Sequence, residues 1–170
     1  MINLPFWLKD KALFKFLAIA SLVTFLDLVT KCLALRYLEL QEPYPITSFL
    51  NLYLIFNVGV AFSLLEEFPA LVHWLTLGLA VLVTFGAIYY EHLLRSQFSQ
   101  KNQLIYLALA AFLGGAWGNA VNRMCFNSVI DFIDFHIFNW HFPAFNIADI
   151  AITFSSVTLL VWLLFRFKKC

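Results

Sequence analysis

The stretch SVIDFIDFHIFNWHFPAFNIADIAITF, residues 128–154, sets three carboxylates, Asp131, Asp134 and Asp149, into otherwise apolar and aromatic sequence. The last of them heads a run, IADIAITFSSVTLLVWLLFR (147–166), that is long and apolar enough to cross a bilayer. Ionisable groups at the margin of a hydrocarbon layer are expensive and usually functional. What these carboxylates do there governs the reading of the whole chain.

Working outward, three further runs meet the requirement of about 20 apolar residues per span: roughly 14–35, 70–90 and 103–122. Of the 170 residues, 62% are hydrophobic, 20 are Phe and only 12% are charged. A water-soluble domain carries about a quarter charged residues, so lipid must solvate much of this surface. No internal repeat or low-complexity tract interrupts residues 1–170, which read as one domain. The start, with Lys9, Lys11 and Lys15 before an apolar stretch, has the outline of a cleaved leader. No small-x-small cleavage site follows, and the segment is expected to persist as a helix.

A net charge of +1 without a basic stripe excludes a nucleic-acid partner from the expectations. Cys32, Cys125 and Cys170 are far apart and form no CxxC, so neither a disulfide framework nor a zinc site is indicated. Eight of the eleven lysines and arginines fall on one side of the four spans, in the N-terminal tail, the 91–102 loop and the C-terminal end. The positive-inside bias therefore puts both termini in the cytoplasm and the first and third loops outside. Glu39, Glu42, Glu66 and Glu67 give the first of these outer loops an acidic character.

With that topology the polar residues of three helices reach one depth. Asp27 and Lys31, four apart and so on one helix face, lie in the outer part of the first helix. Asn119, Asn122 and Arg123 end the third, and Asn146 and Asp149 begin the fourth. The inner halves are bare by comparison. An ion pair between Asp27 and Lys31, a helix-start carboxylate at Asp149 and interhelical amide bonds would explain these residues singly, but not their convergence. Gly114, Gly115 and Gly118 are expected to let helices approach closely.

In the first loop, FNVGVAFS (56–63) adds Asn57 and Gly59, and its alternation suggests an extended strand on the membrane surface with Asn57 aimed inward. Pro43, Pro45 and Pro69 rule out one continuous helix there. Trp140, Phe142 and Phe145 suit an interfacial aromatic belt. His136 and His141, five apart and without a third ligand, suggest belt residues rather than a metal centre.

No GxSxG, HExxH or glycine-rich phosphate loop occurs. Asp131 and Asp149 remain, 18 residues apart across a turn through Pro143. Two close carboxyls share a proton, so one can activate water while the other protonates a leaving group. Asp134 could replace Asp131 as partner, and spacing alone does not choose between them.

Five ordered blocks now stand together: LDLVTK (26–31), FNVGVAFS (56–63), GGAWGNAVNR (114–123), VIDFID (129–134) and PAFNIAD (143–149). Nearly end to end, the chain resembles the lipoprotein signal peptidase, or signal peptidase II, family of bacterial aspartyl peptidases. The resemblance implies an all-α membrane protein of four transmembrane helices with a small extracytoplasmic β-sheet. It implies Asp131 and Asp149 as the catalytic pair, in preference to Asp134, with Asn57, Gly59, Asn119, Arg123, Asn146, Asp27 and Lys31 lining or bracing the site. It further implies removal of signal peptides from diacylglyceryl-modified prolipoproteins just before the lipidated cysteine, in the bacterial inner membrane and near its outer face. No metal or organic cofactor is expected. Membrane lipids and globomycin-type peptide inhibitors are expected ligands, and the chain is expected to act as a monomer.

Two positions depart from the family pattern. Leu28 follows the Asp of the first block where the family usually has Gln, and Asn122 stands where it usually has an acid. Arg123 is then expected to be neutralised by lipid phosphate, substrate or Asp131. Other classes compatible with the residues are an ion-coupled carrier using Asp27, Lys31 and Asp149 as a relay, and an inactive scaffold with the peptidase fold.

Overall fold

The computed structural model describes residues 11–59, 67–95 and 103–167. Four long apolar helices are present: α1 (Lys11–Tyr37), α2 (Pro69–Arg95), α3 (Gln103–Phe126) and α4 (Ile147–Phe167). Each carries a segment long and apolar enough to span a membrane. Side chains such as Leu82, Phe85 and Phe154 are 68%, 70% and 71% exposed. So much bare apolar surface on helices is what lipid contact requires.

Helix α3 is central and packs against α1, α2 and α4. Its glycines are the reason. A Cβ on Gly114 would lie 2.5 Å from the Ala20 carbonyl oxygen, and one on Gly115 would lie 2.6 Å from that of Ala148. These distances are below any ordinary contact, so only glycine lets the α1 and α4 backbones come so close. Thr24 Oγ1 uses the closeness, donating to the Gly114 carbonyl at 2.8 Å. The half of the bundle away from the sheet is filled by Phe16, Ala20, Ala87, Ala110 and Leu113.

Between the helices runs a four-stranded antiparallel sheet in the order β1 (Pro43–Thr47), β2 (Leu50–Asn57), β3 (Val129–Ile137) and β4 (Trp140–His141). Its prolines, Pro43 and Pro45, lie on the edge strand β1, where missing N–H groups are tolerated. Leu54, Ile130 and Phe132 seat the sheet on Ala34 near the C-terminal end of α1. Of the strand expected over 56–63, Phe56 and Asn57 form the end of β2, which begins earlier at Leu50, while residues 60–63 lie outside the described residues. Strand β3 was not anticipated. Most of VIDFIDFHI is buried on both faces, so it lacks the alternation that announces a strand.

Helix α3 stops at Phe126 because Asn127 takes a left-handed conformation, φ 53°, and its N–H bonds back to the Arg123 carbonyl at 2.9 Å. The chain then turns directly into β3. That reversal sets the end of α3 beside the strand carrying Asp131.

Candidate active site

Asp131 projects from β3 beside the end of β2. Val129 pairs with Asn57 across the ladder, so Asp131 is the diagonal neighbour of Asn57. Asn57 Nδ2 donates to Asp131 Oδ2 at 3.0 Å. The other carboxylate oxygen, Oδ1, accepts from Asn146 Nδ2 at 2.6 Å.

Asn146 and Asp149 together start α4. The Asp149 N–H donates to Asn146 Oδ1 at 2.9 Å, and the Asn146 N–H donates to Asp149 Oδ2 at 3.2 Å. This is a reciprocal capping box, which satisfies helix-start donors that otherwise lack partners. Asp149 Oδ1 faces α3 and accepts from Asn119 Nδ2 at 2.8 Å. The two aspartates therefore share Asn146, bound to one by its side chain and to the other by its backbone. Both line a cavity of about 1090 Å³, together with Asn57, Gly59, Asn119 and Arg123. The cavity continues along α4 past Ile150, Thr153, Phe154 and Val157, one helical face spaced three and four residues apart.

Behind this pair stands α1. Lys31 Nζ lies 2.7 Å from Asp27 Oδ2 and donates to Asn119 Oδ1 at 2.8 Å. Asp27 Oδ1 accepts the Ala148 N–H at 2.8 Å, another first-turn donor of α4. A Cβ on Gly118 would lie 2.5 Å from Asp27 Oδ2, so that glycine makes room for the carboxylate. Asp27 and Lys31 are thus fully buried in an ion pair that also fixes the start of α4.

Asp131 is 1% exposed. Burial, and secondly the negative charge of Asp149, push its carboxyl from the ordinary 3.8 up to about 7. Hydrogen bonds from Asn57 and Asn146 and the charge of Lys31 pull the other way without cancelling the rise. A carboxyl that keeps its proton near neutrality, beside a second carboxyl in one cavity, is suited to acid–base chemistry.

The sequence-derived residues divide as follows. Asn57, Asn119, Asn146, Asp131 and Asp149 are joined by direct hydrogen bonds, with Asp27 and Lys31 bonded to them from behind. Asp134 is not among them. Three residues along a strand lead to its opposite face, where Asp134 meets Asn51 and His141. Asn122 is buried and accepts the Ile130 N–H at 3.1 Å, holding β3 to the end of α3. Of the three neutralising partners expected for Arg123, Asp131 acts on it only through charge and makes no hydrogen bond with it. Among the described residues, its guanidinium donates to two backbone carbonyls, those of Val58 (3.3 Å) and Gly59. It ties down the segment after β2, and Gly59 enters the site through that carbonyl.

The apolar wall along α4 was not singled out from sequence, although the spacing of Ile150, Thr153, Phe154 and Val157 carried the signal. Trp140, Phe142 and Phe145 stack edge to face in series, with centroids 6.3 and 5.9 Å apart, and Phe142 and Phe145 line the cavity.

Comparison with known proteins gives a consistent picture. Residues 19–165 match the family described as signal peptidase (SPase) II. The lipoprotein signal peptidase of Polynucleobacter necessarius subsp. necessarius (strain STIR1) is 40% identical over 157 residues, 91% of each chain. That of Francisella tularensis subsp. novicida (strain U112) is 43% identical over 156 residues, 91% of this chain and 94% of that protein. A solved bacterial membrane enzyme superposes with a TM-score of 0.74 at 26% identity, covering 88% of this chain and 87% of the other. A second has a TM-score of 0.71 at the same 26% identity.

Proposed function

The chain belongs to the signal peptidase II family of bacterial membrane peptidases, and on that premise we propose that it cleaves signal peptides from diacylglyceryl-modified prolipoproteins by an aspartate pair, Asp131 and Asp149. The observation that carries this reading is Asn146, which holds one carboxylate through its side chain and the other through its backbone at the rim of one cavity. The cut falls before the lipidated cysteine. The apolar face below Asp149 receives the signal helix or the acyl chains, which need few polar contacts.

In the resting pair Asp131 holds the proton and Asp149 is the carboxylate. Asp149 removes a proton from water as its oxygen attacks the scissile carbonyl carbon, while Asp131 protonates the carbonyl oxygen. When the C–N bond breaks, the proton gained by Asp149 passes to the leaving amine and Asp131 recovers its own. Asn57 and Asn119 orient the carboxylates, and Lys31 and Asp27 hold Asn119 and the α4 start in place. The site opens toward the outer face of the inner membrane, with both termini in the cytoplasm. A globomycin-type peptide would compete for the same cavity.

A carrier reading is disfavoured by the distribution of charge. Among the described residues, the buried charged side chains are Asp27, Lys31, Arg123, Asp131 and Asp134, none of them in the inner half of the bundle. A proton or ion path through the membrane would need groups there.

The test is incubation of the purified chain with a diacylglyceryl-modified prolipoprotein and with its unlipidated form, with product masses read by mass spectrometry. Only the lipidated substrate should be cut, at the bond preceding the modified cysteine. Equal cutting of both, or cutting elsewhere, would contradict the proposed specificity.

Activity should also fall as pH rises through about 7, where Asp131 loses its proton. The sign follows from its position: the folded chain binds that proton more tightly than the unfolded chain does. Stability too therefore declines as pH rises from about 4 to about 7. Asn57→Ala removes a hydrogen bond that favours the carboxylate, so the alkaline limb of kcat should move to higher pH. A shift to lower pH would contradict this assignment.

Asn122→Asp is expected to keep kcat/KM unchanged or raise it. The new carboxylate can still accept the Ile130 N–H, and it adds a negative charge next to Arg123, whose described hydrogen-bond partners are uncharged carbonyls. Loss of cleavage would show that this chain has come to depend on the neutral amide.

A further inference from the structure

On the far face of β3 from Asp131, three potential metal ligands converge that the proposed peptidase chemistry does not use. Asp134 and His136 are two apart on one strand and so project from the same face. His141 is the direct cross-strand partner of His136, brought there by the two-residue turn Phe138–Asn139. The two imidazole rings stack with centroids 5.1 Å apart and planes 18° apart. His141 Nδ1 lies 2.9 and 3.0 Å from the two oxygens of Asp134. One ligand atom from each of the three residues falls within 4.8 Å of the others.

We propose that Asp134, His136 and His141 form a binding site for a divalent transition metal, with zinc(II) the best-matched ion. Two imidazole nitrogens and a carboxylate oxygen are the donor types that ion prefers, and three protein ligands leave one position for water. Calcium and magnesium would require mainly oxygen donors. The cross-strand arrangement presents the ligands before any ion arrives. Ligand atoms about 2.0–2.1 Å from a tetrahedral zinc stand about 3.3 Å from one another. His141 must therefore swing slightly away from Asp134, and its side chain, 53% exposed, has room to do so.

The surroundings support a built site. Asp134 is buried and supplies the compensating negative charge. Asn51 Nδ2 on β2 donates to Asp134 Oδ2 at 2.8 Å and orients that carboxylate from behind, as outer partners of metal ligands do. The bound ion would clip two-residue β4 to β3, the strand that also carries Asp131. This site stands independently of the peptidase reading, since it shares no ligand with the aspartate pair.

The experiment uses the full chain, purified in detergent without a polyhistidine tag, titrated with Zn²⁺ by calorimetry and with Co²⁺ by visible absorption. One equivalent should bind, with a tetrahedral cobalt spectrum and a raised melting temperature. Asn51→Ala should weaken Zn²⁺ binding about 10–100-fold, His141→Gln should weaken it further, and the double variant His136→Gln/His141→Gln should abolish it. The exposed His141 side chain makes these variants compatible with folding, which unchanged circular dichroism would verify. No Zn²⁺ uptake by the native chain up to about 1 mM, or equal affinity in the double variant, would overturn the proposal. The latter result would assign the metal to His73, His92 or a cysteine.

Discussion

Replacing either Asp131 or Asp149 with Asn should lower kcat for prolipoprotein cleavage by roughly 10⁴-fold or more, and replacing both should lower it little further. Asn preserves the size of each side chain but only one of its two acceptor oxygens, so one of the two hydrogen bonds at each position survives. Beyond that one bond, what is lost is the ability to exchange a proton. Because water attack and leaving-group protonation use the two carboxyls as one unit, removing either disables both steps. KM should change little, since the apolar face of α4 still accepts the substrate. Single variants that lose only tenfold, or a double variant whose losses multiply, would mean that the two groups act separately.

The second large effect concerns stability. Lys31→Met should destabilise the folded chain by about 3–5 kcal/mol, because it strands Asp27 as an uncompensated buried charge. Asp27 would keep only the Ala148 N–H as a partner. The start of α4, and Asp149 with it, would shift. The double variant Asp27→Asn/Lys31→Met should regain much of the lost stability, since no buried charge remains and the amide oxygen can still accept the Ala148 N–H. Activity should recover less, because Asn119 still lacks the Lys31 ammonium that helps aim it at Asp149. Thermal unfolding in detergent, read beside kcat, separates the two. A double variant no more stable than Lys31→Met would show that the pair contributes through packing rather than through mutual neutralisation.

Much of this architecture is legible in the sequence because bilayer thickness demands long apolar runs, and such runs are hard to mistake. The four spans follow from run length, the Asp27–Lys31 pair from its i, i+4 spacing, and the close packing from the smallness of Gly114, Gly115 and Gly118. What stayed hidden depends on strands. VIDFIDFHI is covered on both sides, so no alternation marks it, and whether Asp131 and Asp134 share a face turns on its being extended. The same register brings His136 and His141 to Asp134 and supplies the third ligand whose apparent absence set those histidines aside. The Arg123 contacts were equally unreadable, since backbone carbonyls carry no sequence signature. The capping box at Asn146 and Asp149 was legible in principle. An N-x-x-D pattern before an apolar run is a helix-start signal, whereas placing both residues in the first turn does not by itself pair them.

The most direct measurement is an infrared titration of protonated carboxyl groups in the purified chain, with Asp131→Asn and Asp149→Asn measured alongside. A proton held between two neighbouring carboxyls predicts one protonated carboxyl band in the native chain that persists up to about pH 7. The band should disappear in Asp131→Asn and shift toward lower pH in Asp149→Asn, where the neighbouring negative charge is gone. A band that is absent near neutrality in the native chain, or that titrates identically in both variants, would contradict the shared proton on which the proposed chemistry depends.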